Sequence, residues 1–80
     1  MTVDELTDEL ADLVAEVGEV DRAVVVLDAA FDDVGIDSLL AIEIAVHVEH
    51  RYNTSFTEAE LGTLQTFRDL VTLTRSHVSG

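Results

Sequence analysis

From Leu39 to Tyr52 the chain carries good helix formers and regularly spaced apolar residues, with neither glycine nor proline. That run is predicted to be an α-helix, and it constrains everything else in so short a chain. The residues in front of it, Gly35-Ile36-Asp37-Ser38, read as a helix start. Asp37 can cap the helix, accepting from the orphan amides of the first turn and complementing the positive end of the helix dipole. Ser38 then falls in the first turn, where free N–H groups and the dipole favour an anion such as a phosphate ester.

Placed at 100° per residue, this second helix, Ser38 to Tyr52, separates into two apolar stripes. Ala41, Ile44, Ala45, Val48 and Tyr52 fall together and are assigned to the core. Leu39, Ile42 and Val46 fall on another side, bordered by Glu43, Glu49 and His50. Periodicity leaves two readings of this narrow strip: a docking surface, or a helix surrounded by neighbours in a bundle.

The rest of the chain supplies the other helices. Thr2 and Glu5 form a capping box ahead of Leu6, Leu10, Leu13, Val14 and Val17, which predicts a first helix from Val3 to Val17 with Gly18 as its left-handed stop. The acidic residues of that helix are spread over several turns and read as a solvated face. Between Glu19 and Ile36 the helical period is lost. Val24, Val25, Val26, Leu27, Phe31, Val34 and Ile36 are expected to tie this long loop down, with a short helical turn around Ala29 to Val34. The β-branched run 24–27 has no partner strand elsewhere and is read as loop. Asn53-Thr54-Ser55 break the second helix and Phe56 returns to the core. Thr57-Glu58-Ala59-Glu60 is a second capping box opening a short third helix, and Thr66 to Asp69 open a last one with Leu70, Val71 and Leu73 or Thr74 inward. Arg68 and Arg75 are expected outside, and the tail from Ser76 to Gly80 loose. The expected architecture is all-α: one domain spanning 1–80, ordered over about 3–75, with three longer helices, a short third helix and a long first loop.

The formal charge is −13, from 17 acidic residues against four arginines and no lysine. That argues against nucleic acid and anionic membrane as partners and points to basic protein surfaces, although an acidic surface also serves solubility alone. There is no cysteine, so any thiol chemistry has to arrive on a prosthetic group. The N-terminus lacks a basic and apolar leader pattern and no stretch approaches a membrane span, so a cytoplasmic protein is the expectation; a monomer is expected as well. Acidic residues at 28, 32, 33 and 37 lack the alternation, central glycine and terminal glutamate of a calcium loop, and no metal site is assigned.

As a nucleophile in its own right Ser38 lacks a base. His47 stands about 180° round the helix and about 13 Å along it, and His50 is farther. No Gly-x-Ser-x-Gly elbow is present. No catalytic residue is assigned; Ser38 reads as a substrate for modification, and His47 and His50 receive no role.

The motif Gly35-Ile36-Asp37-Ser38-Leu39, approached by Phe31-Asp32-Asp33-Val34 and followed by Glu43-Ile44, resembles the acyl carrier proteins and related thiolation domains over nearly the whole chain. The resemblance implies a four-helix acyl-carrier-like bundle. It implies also a 4′-phosphopantetheine arm, transferred from coenzyme A to Ser38 by a phosphopantetheinyl transferase, whose thiol carries acyl groups between enzymes such as ketosynthases. It favours the docking reading for Leu39, Ile42, Glu43 and Val46. It also implies an acyl groove beside the second and third helices, for which Ile44, Phe56, Ala59 and Leu61 are candidates, core packing being the simpler reading of each. The chain looks like a discrete carrier. Ile36 in place of a second glycine leans to acyl rather than peptidyl carriers, which stay open as the alternative. Leu40 where an acid is usual, and His47-Val48-Glu49-His50-Arg51 at the helix end, favour polyketide or related secondary metabolism over bulk fatty-acid synthesis. An unmodified acidic helical adaptor is the alternative from a different class.

Overall fold

The computed structural model describes residues 2–78. Four helices follow one another: α1, Val3–Gly18; α2, Ser38–Tyr52; α3, Glu58–Leu61; and α4, Phe67–Val78, with 3₁₀ turns at Arg22–Val24 and Phe31–Val34 in the long loop after α1. Helix α1 packs against both α2 and α4. Leu6, Leu10, Ala11, Leu13 and Val14 from α1 meet Ala41, Ile44, Ala45 and Val48 from α2 and Phe67, Leu70 and Val71 from α4 in one buried cluster. Tyr52 sits at its margin, half-buried. On α4, Thr74 is the fully buried member of the Leu73/Thr74 pair.

At the start of α1 half of the expected capping box is present: Thr2 Oγ1 accepts from the Glu5 amide at 3.1 Å, with no return bond from the Glu5 side chain among the described residues. Its end differs from the expectation. Gly18 is the last helical residue, and Glu19 takes the left-handed conformation at φ 54°. Space explains why the glycine lies inside: a Cβ on Gly18 would stand 3.2 Å from Ile36 Cδ1. The missing side chain lets the loop close onto α1, and the unfavourable backbone passes to Glu19.

The long loop is anchored by fewer side chains than expected. Val25, Phe31 and Ile36 are buried and Val34 is half-buried, but Val24, Val26 and Leu27 face solvent. Backbone pairing does the rest. Phe31 N–H donates to Gln65 O at 2.9 Å, Phe67 N–H to Ala29 O at 3.0 Å and Arg68 N–H to Leu27 O at 3.0 Å, around an isolated antiparallel bridge between Ala30 and Thr66. Val24, Val26 and Leu27 can stay outside because the segment is held through backbone carbonyls as well as by Val25.

The chain end also differs from expectation. Ser76, His77 and Val78 continue α4 instead of fraying, so order extends past residue 75. His77 is half-buried, with its ring edge-on to Phe56 at a centroid separation of 5.0 Å. Ser79 and Gly80, the last of the expected loose tail, lie outside the described residues.

Two stability measurements follow. Glu19→Gly should stabilise the fold by about 0.5–1 kcal/mol, because relief of the left-handed strain exceeds the extra entropy of the unfolded glycine; an unchanged urea midpoint would contradict it. Tyr52 supplies a pH test. Its hydroxyl, partly desolvated and 3.3 Å from a Glu9 carboxylate oxygen, is pushed up to about 12. A raised pKa stabilises the fold fully below the unfolded value near 10, and that contribution is lost as pH climbs from 10 to 12. With no lysine or cysteine in the chain, Tyr52→Phe should flatten the decline in stability over that window, as read by denaturation at pH 9 and pH 11.

Candidate functional site

The approach to α2 is built by a turn and an anchor. Phe31 begins the second 3₁₀ turn and is buried; Gly35 closes that turn at φ 84°, a left-handed position with no neighbour crowding it. Ile36 follows, fully buried, its N–H donating to Phe31 O at 2.8 Å. The chain therefore leaves the core at Asp37. There the backbone is extended, and Asp37 Oδ1 accepts from Leu40 N–H at 2.8 Å while its carbonyl accepts from Ala41 N–H at 2.9 Å. The expected cap is thus present.

Ser38 is the first residue of α2 and is exposed. Two open grooves meet at it. One, about 490 Å³, is lined by Ala41, Ile42, Glu58, Leu61, Gly62 and Leu64 along the α3 side. The other, about 470 Å³, runs between the 3₁₀ turn at Phe31–Val34 and the α3–α4 connection, past Asp32, Ile36, Asp37, Gln65 and Thr66. Ser38, Ala41 and Leu64 belong to both. A third depression, lined by Glu49, His50, Asn53, Thr54 and Ser55, lies at the opposite end of α2.

The short α3 forms one wall, and a four-residue helix needs outside support. Its capping box is complete: Thr57 Oγ1 accepts from Glu60 N–H at 3.1 Å, and Glu60 Oε1 accepts from Thr57 N–H at 2.8 Å. His77 then ties the end of α4 to it, with Nε2 2.9 Å from Glu60 Oε2 and Nδ1 3.1 Å from Thr54 Oγ1. The Thr57 backbone N–H, and after it the His77 ring, hold the Glu60 carboxyl below the usual carboxylate range. Glu49 Oε2 accepts from Phe56 N–H at 2.7 Å and fixes the chain between α2 and α3.

The groove candidates named from sequence divide sharply. Leu61 lines the groove beside Ser38. Ile44 is 1% exposed and faces Gly18, so it belongs to the core; Phe56 is buried beneath His77; Ala59 is exposed and lines neither groove. In their place stand Ala41, Ile42, Leu64 and Glu58. Ile42 was legible as an outward apolar residue and Ala41 as an inward one. Leu64 lies in an aperiodic connection and carries no pattern that marks it. On the outer face of α2, Leu39 is 68% exposed and Ile42 and Val46 43% each, with Glu43 exposed among them.

Ser38 Oγ makes no hydrogen bond among the described residues. The histidines are elsewhere, His47 and His50 exposed down α2 and His77 engaged with Glu60 and Thr54. Of the loop acids, Asp28 pairs with Arg68 at 2.7 Å and Asp37 is occupied as the cap. No group of three or more metal-ligating side chains converges among the described residues.

Ser38 thus presents an accessible hydroxyl at a capped helix start, beside two grooves and without a base in reach. The family model described as phosphopantetheine attachment site matches residues 8–74. The chain is similar to the acyl carrier protein of Rhodococcus erythropolis, 38% identical over 71 residues covering 88% of this chain and 78% of the relative. It is 46% identical over 55 residues to the polyketide-8 synthase acyl carrier protein 2 of Streptomyces avermitilis, 68% of this chain and 63% of that one. The solution structure of hexanoyl acyl carrier protein from the actinorhodin polyketide synthase of Streptomyces coelicolor superposes with a TM-score of 0.73 at 32% identity, covering 99% of this chain and 92% of that one. The chain belongs to the acyl carrier protein family. It is a carrier rather than a catalyst, and its prosthetic group is a covalently attached 4′-phosphopantetheine. Membership implies a phosphopantetheinyl transferase and acyl-processing enzymes such as ketosynthases as partners. No helix among the described residues is long and apolar enough to cross a membrane.

The residues present suit that group. The unbonded Ser38 hydroxyl offers an attachment atom, and the N-terminus of a 15-residue helix favours the phosphate charge. When bound, the group supplies the thiol that this cysteine-free polypeptide lacks.

His77→Ala should loosen the α3 wall. Removing its bonds to Glu60 and Thr54 is expected to speed amide exchange at Leu61, Gly62 and Thr63 by roughly five- to tenfold, the loss of about one net hydrogen bond. Amides of Leu10 to Val14 should not change; equal acceleration in both segments would show that His77 supports the whole bundle and not α3 in particular.

Proposed function

We propose that Ser38 is the attachment residue and that the protein holds acyl or polyketide intermediates for a polyketide or related secondary-metabolic pathway. The observation that carries the reading is the exposed, unbonded Ser38 hydroxyl at the Asp37-capped start of α2, where two grooves meet. In the modification, Ser38 Oγ forms the new P–O bond at the β-phosphorus of coenzyme A. The pyrophosphate bond to adenosine 3′,5′-bisphosphate breaks, and the serine proton passes to the transferase's base. Asp37 caps the first turn, its Oδ1 accepting from Leu40 N–H, and makes no hydrogen bond to the Ser38 hydroxyl among the described residues.

The pathway assignment is supported by the polyketide synthase carriers among the relatives and by the α2 sequence. Leu39, Ile42 and Val46 form an apolar strip on the same helix as Ser38, with Glu43 beside it as the recognition charge, and His47, His50 and Arg51 occupy the far end. Partners seat on that strip through apolar contact more than through a row of acids.

Intact mass after incubation with coenzyme A and a broad-specificity phosphopantetheinyl transferase tests the reading. The parent should gain one phosphopantetheine and Ser38→Ala none, with an unchanged circular dichroism spectrum, because an exposed first-turn serine contributes little to the core. A gain in the Ser38→Ala variant would move the attachment elsewhere; no gain in the folded parent would favour an unmodified adaptor.

A further inference from the structure

Two grooves start at Ser38, and their linings differ in kind. Along α3 the lining is Ala41, Ile42, Leu61, Gly62 and Leu64 with Glu58, so apart from Ser38 it offers no uncharged polar side chain. The second groove, about 470 Å³, carries Gln65 and Thr66 from the α3–α4 connection and Asp32 from the 3₁₀ turn. Gln65 is fixed by its backbone and free at its side chain. Its N–H donates to Asp69 Oδ2 at 3.0 Å and its carbonyl accepts from Phe31 N–H at 2.9 Å, while the exposed side-chain amide makes no hydrogen bond among the described residues. Thr66 Oγ1 accepts from Asp69 N–H at 3.2 Å, which leaves its hydroxyl proton to donate. The Asp37 carboxylate is occupied by Leu40 N–H, whereas that of Asp32 is exposed and accepts no hydrogen bond among the described residues.

We infer that Gln65 is a positioning residue for the 4′-phosphopantetheine arm: with Thr66 and Asp32 it holds the amide-bearing part of the arm in the second groove, away from the α3 side. This rests on the reading of Ser38 as the attachment residue. The arm starts where both grooves start, and beyond its phosphate it carries geminal methyls, a hydroxyl and two amides ahead of the thiol. Amide and hydroxyl groups laid against the α3-side walls would lose hydrogen bonds to water and gain none from a neutral partner. In the second groove Gln65 can donate to an arm carbonyl and accept from an arm N–H, Thr66 can donate, and Asp32 can accept. The shared residues Ala41 and Leu64 give the methyls an apolar floor. Asp32 is exposed, so water and salt screen it from the phosphate charge at Ser38. The groove's volume falls among those of small-molecule sites, roughly 300–1,000 Å³. None of Leu39, Ile42 and Val46 lines it, so an arm held there leaves the outer strip of α2 uncovered for a partner enzyme.

The test uses isotope-labelled protein modified from unlabelled coenzyme A by a broad-specificity transferase, with intact mass to establish attachment. Isotope-filtered NOEs then report which side chains lie against the arm. The arm's amide protons and geminal methyls should show contacts to the Gln65 side-chain N–H groups and the Thr66 methyl. Gln65→Ala keeps both backbone hydrogen bonds of that residue, so its circular dichroism spectrum and mass gain should match the parent. Its arm-to-Thr66 contact should weaken roughly fivefold, the loss of about one net hydrogen bond. Contacts to Ile42 and Leu61 in place of Gln65 would overturn the inference, as would an arm that touches no side chain, or a Thr66 contact undiminished in Gln65→Ala. A folded parent that gains no mass would remove the attachment reading and this inference together.

Discussion

Where α2 begins depends on the burial of Ile36. That side chain enters the core beside Gly18 and Ile44, and its amide is held by Phe31 O. One residue later the chain must turn outward, and Asp37 is the residue that can both leave the core and cap a helix. Exposure of Ser38 follows from these two neighbours. A larger residue at position 18 would press on Ile36 and disturb the spot from which the helix starts, which is a physical reason for a glycine inside α1 despite its poor helix propensity.

The bundle is small, and much of its definition comes from polar ties between segments distant in sequence. The long loop is joined to the start of α4 by backbone hydrogen bonds, which tie together the two sides of the Asp32–Thr66 groove. The α3 wall is joined to the end of α4 by His77 and to α2 through Glu49 and Phe56 N–H. Helix α4 thereby holds both grooves, one through its first turn and the other through its last. The surface ion pairs of Arg22 with Asp8 and Asp12, and of Arg68 with Asp28, are exposed, and pairs of that kind add little beyond orienting the loop.

Charge is distributed unevenly around this frame. The acids that give the chain its net −13 lie mostly on α1, the loop and α3, while the outer face of α2 is an apolar strip that ends in His47, His50 and Arg51. Glu49, which would add a carboxylate there, is turned onto Phe56 N–H. Overall acidity keeps such a small protein soluble and repels polyanions. Beside Ser38 the charges are few: apart from the capping Asp37, they are Glu43 on the helix, and Glu58 and Asp32 at the grooves.

The helices, their capping residues and the two faces of α2 were readable from residue order alone, because each is a local property: a short polar side chain meets amides three residues on, and a 100° step decides which side chains share a face. The motif around Ser38 was local too, and with it the family. What required the tertiary structure was everything set by contact between distant segments. Gly18 looked like a helix stop and is a packing gap, since only the position of Ile36 shows why a side chain is missing there. Val24, Val26 and Leu27 looked like anchors and are exposed, since backbone bonds to α4 hold their segment. Ile44 and Phe56 looked equally fit for groove or core, and packing put both inside. Leu64 and Glu58 became groove residues because α3 and the connection after it lie beside the first turns of α2, with α3 pinned by His77, a residue at the other end of the chain whose local sequence carries no sign of that contact.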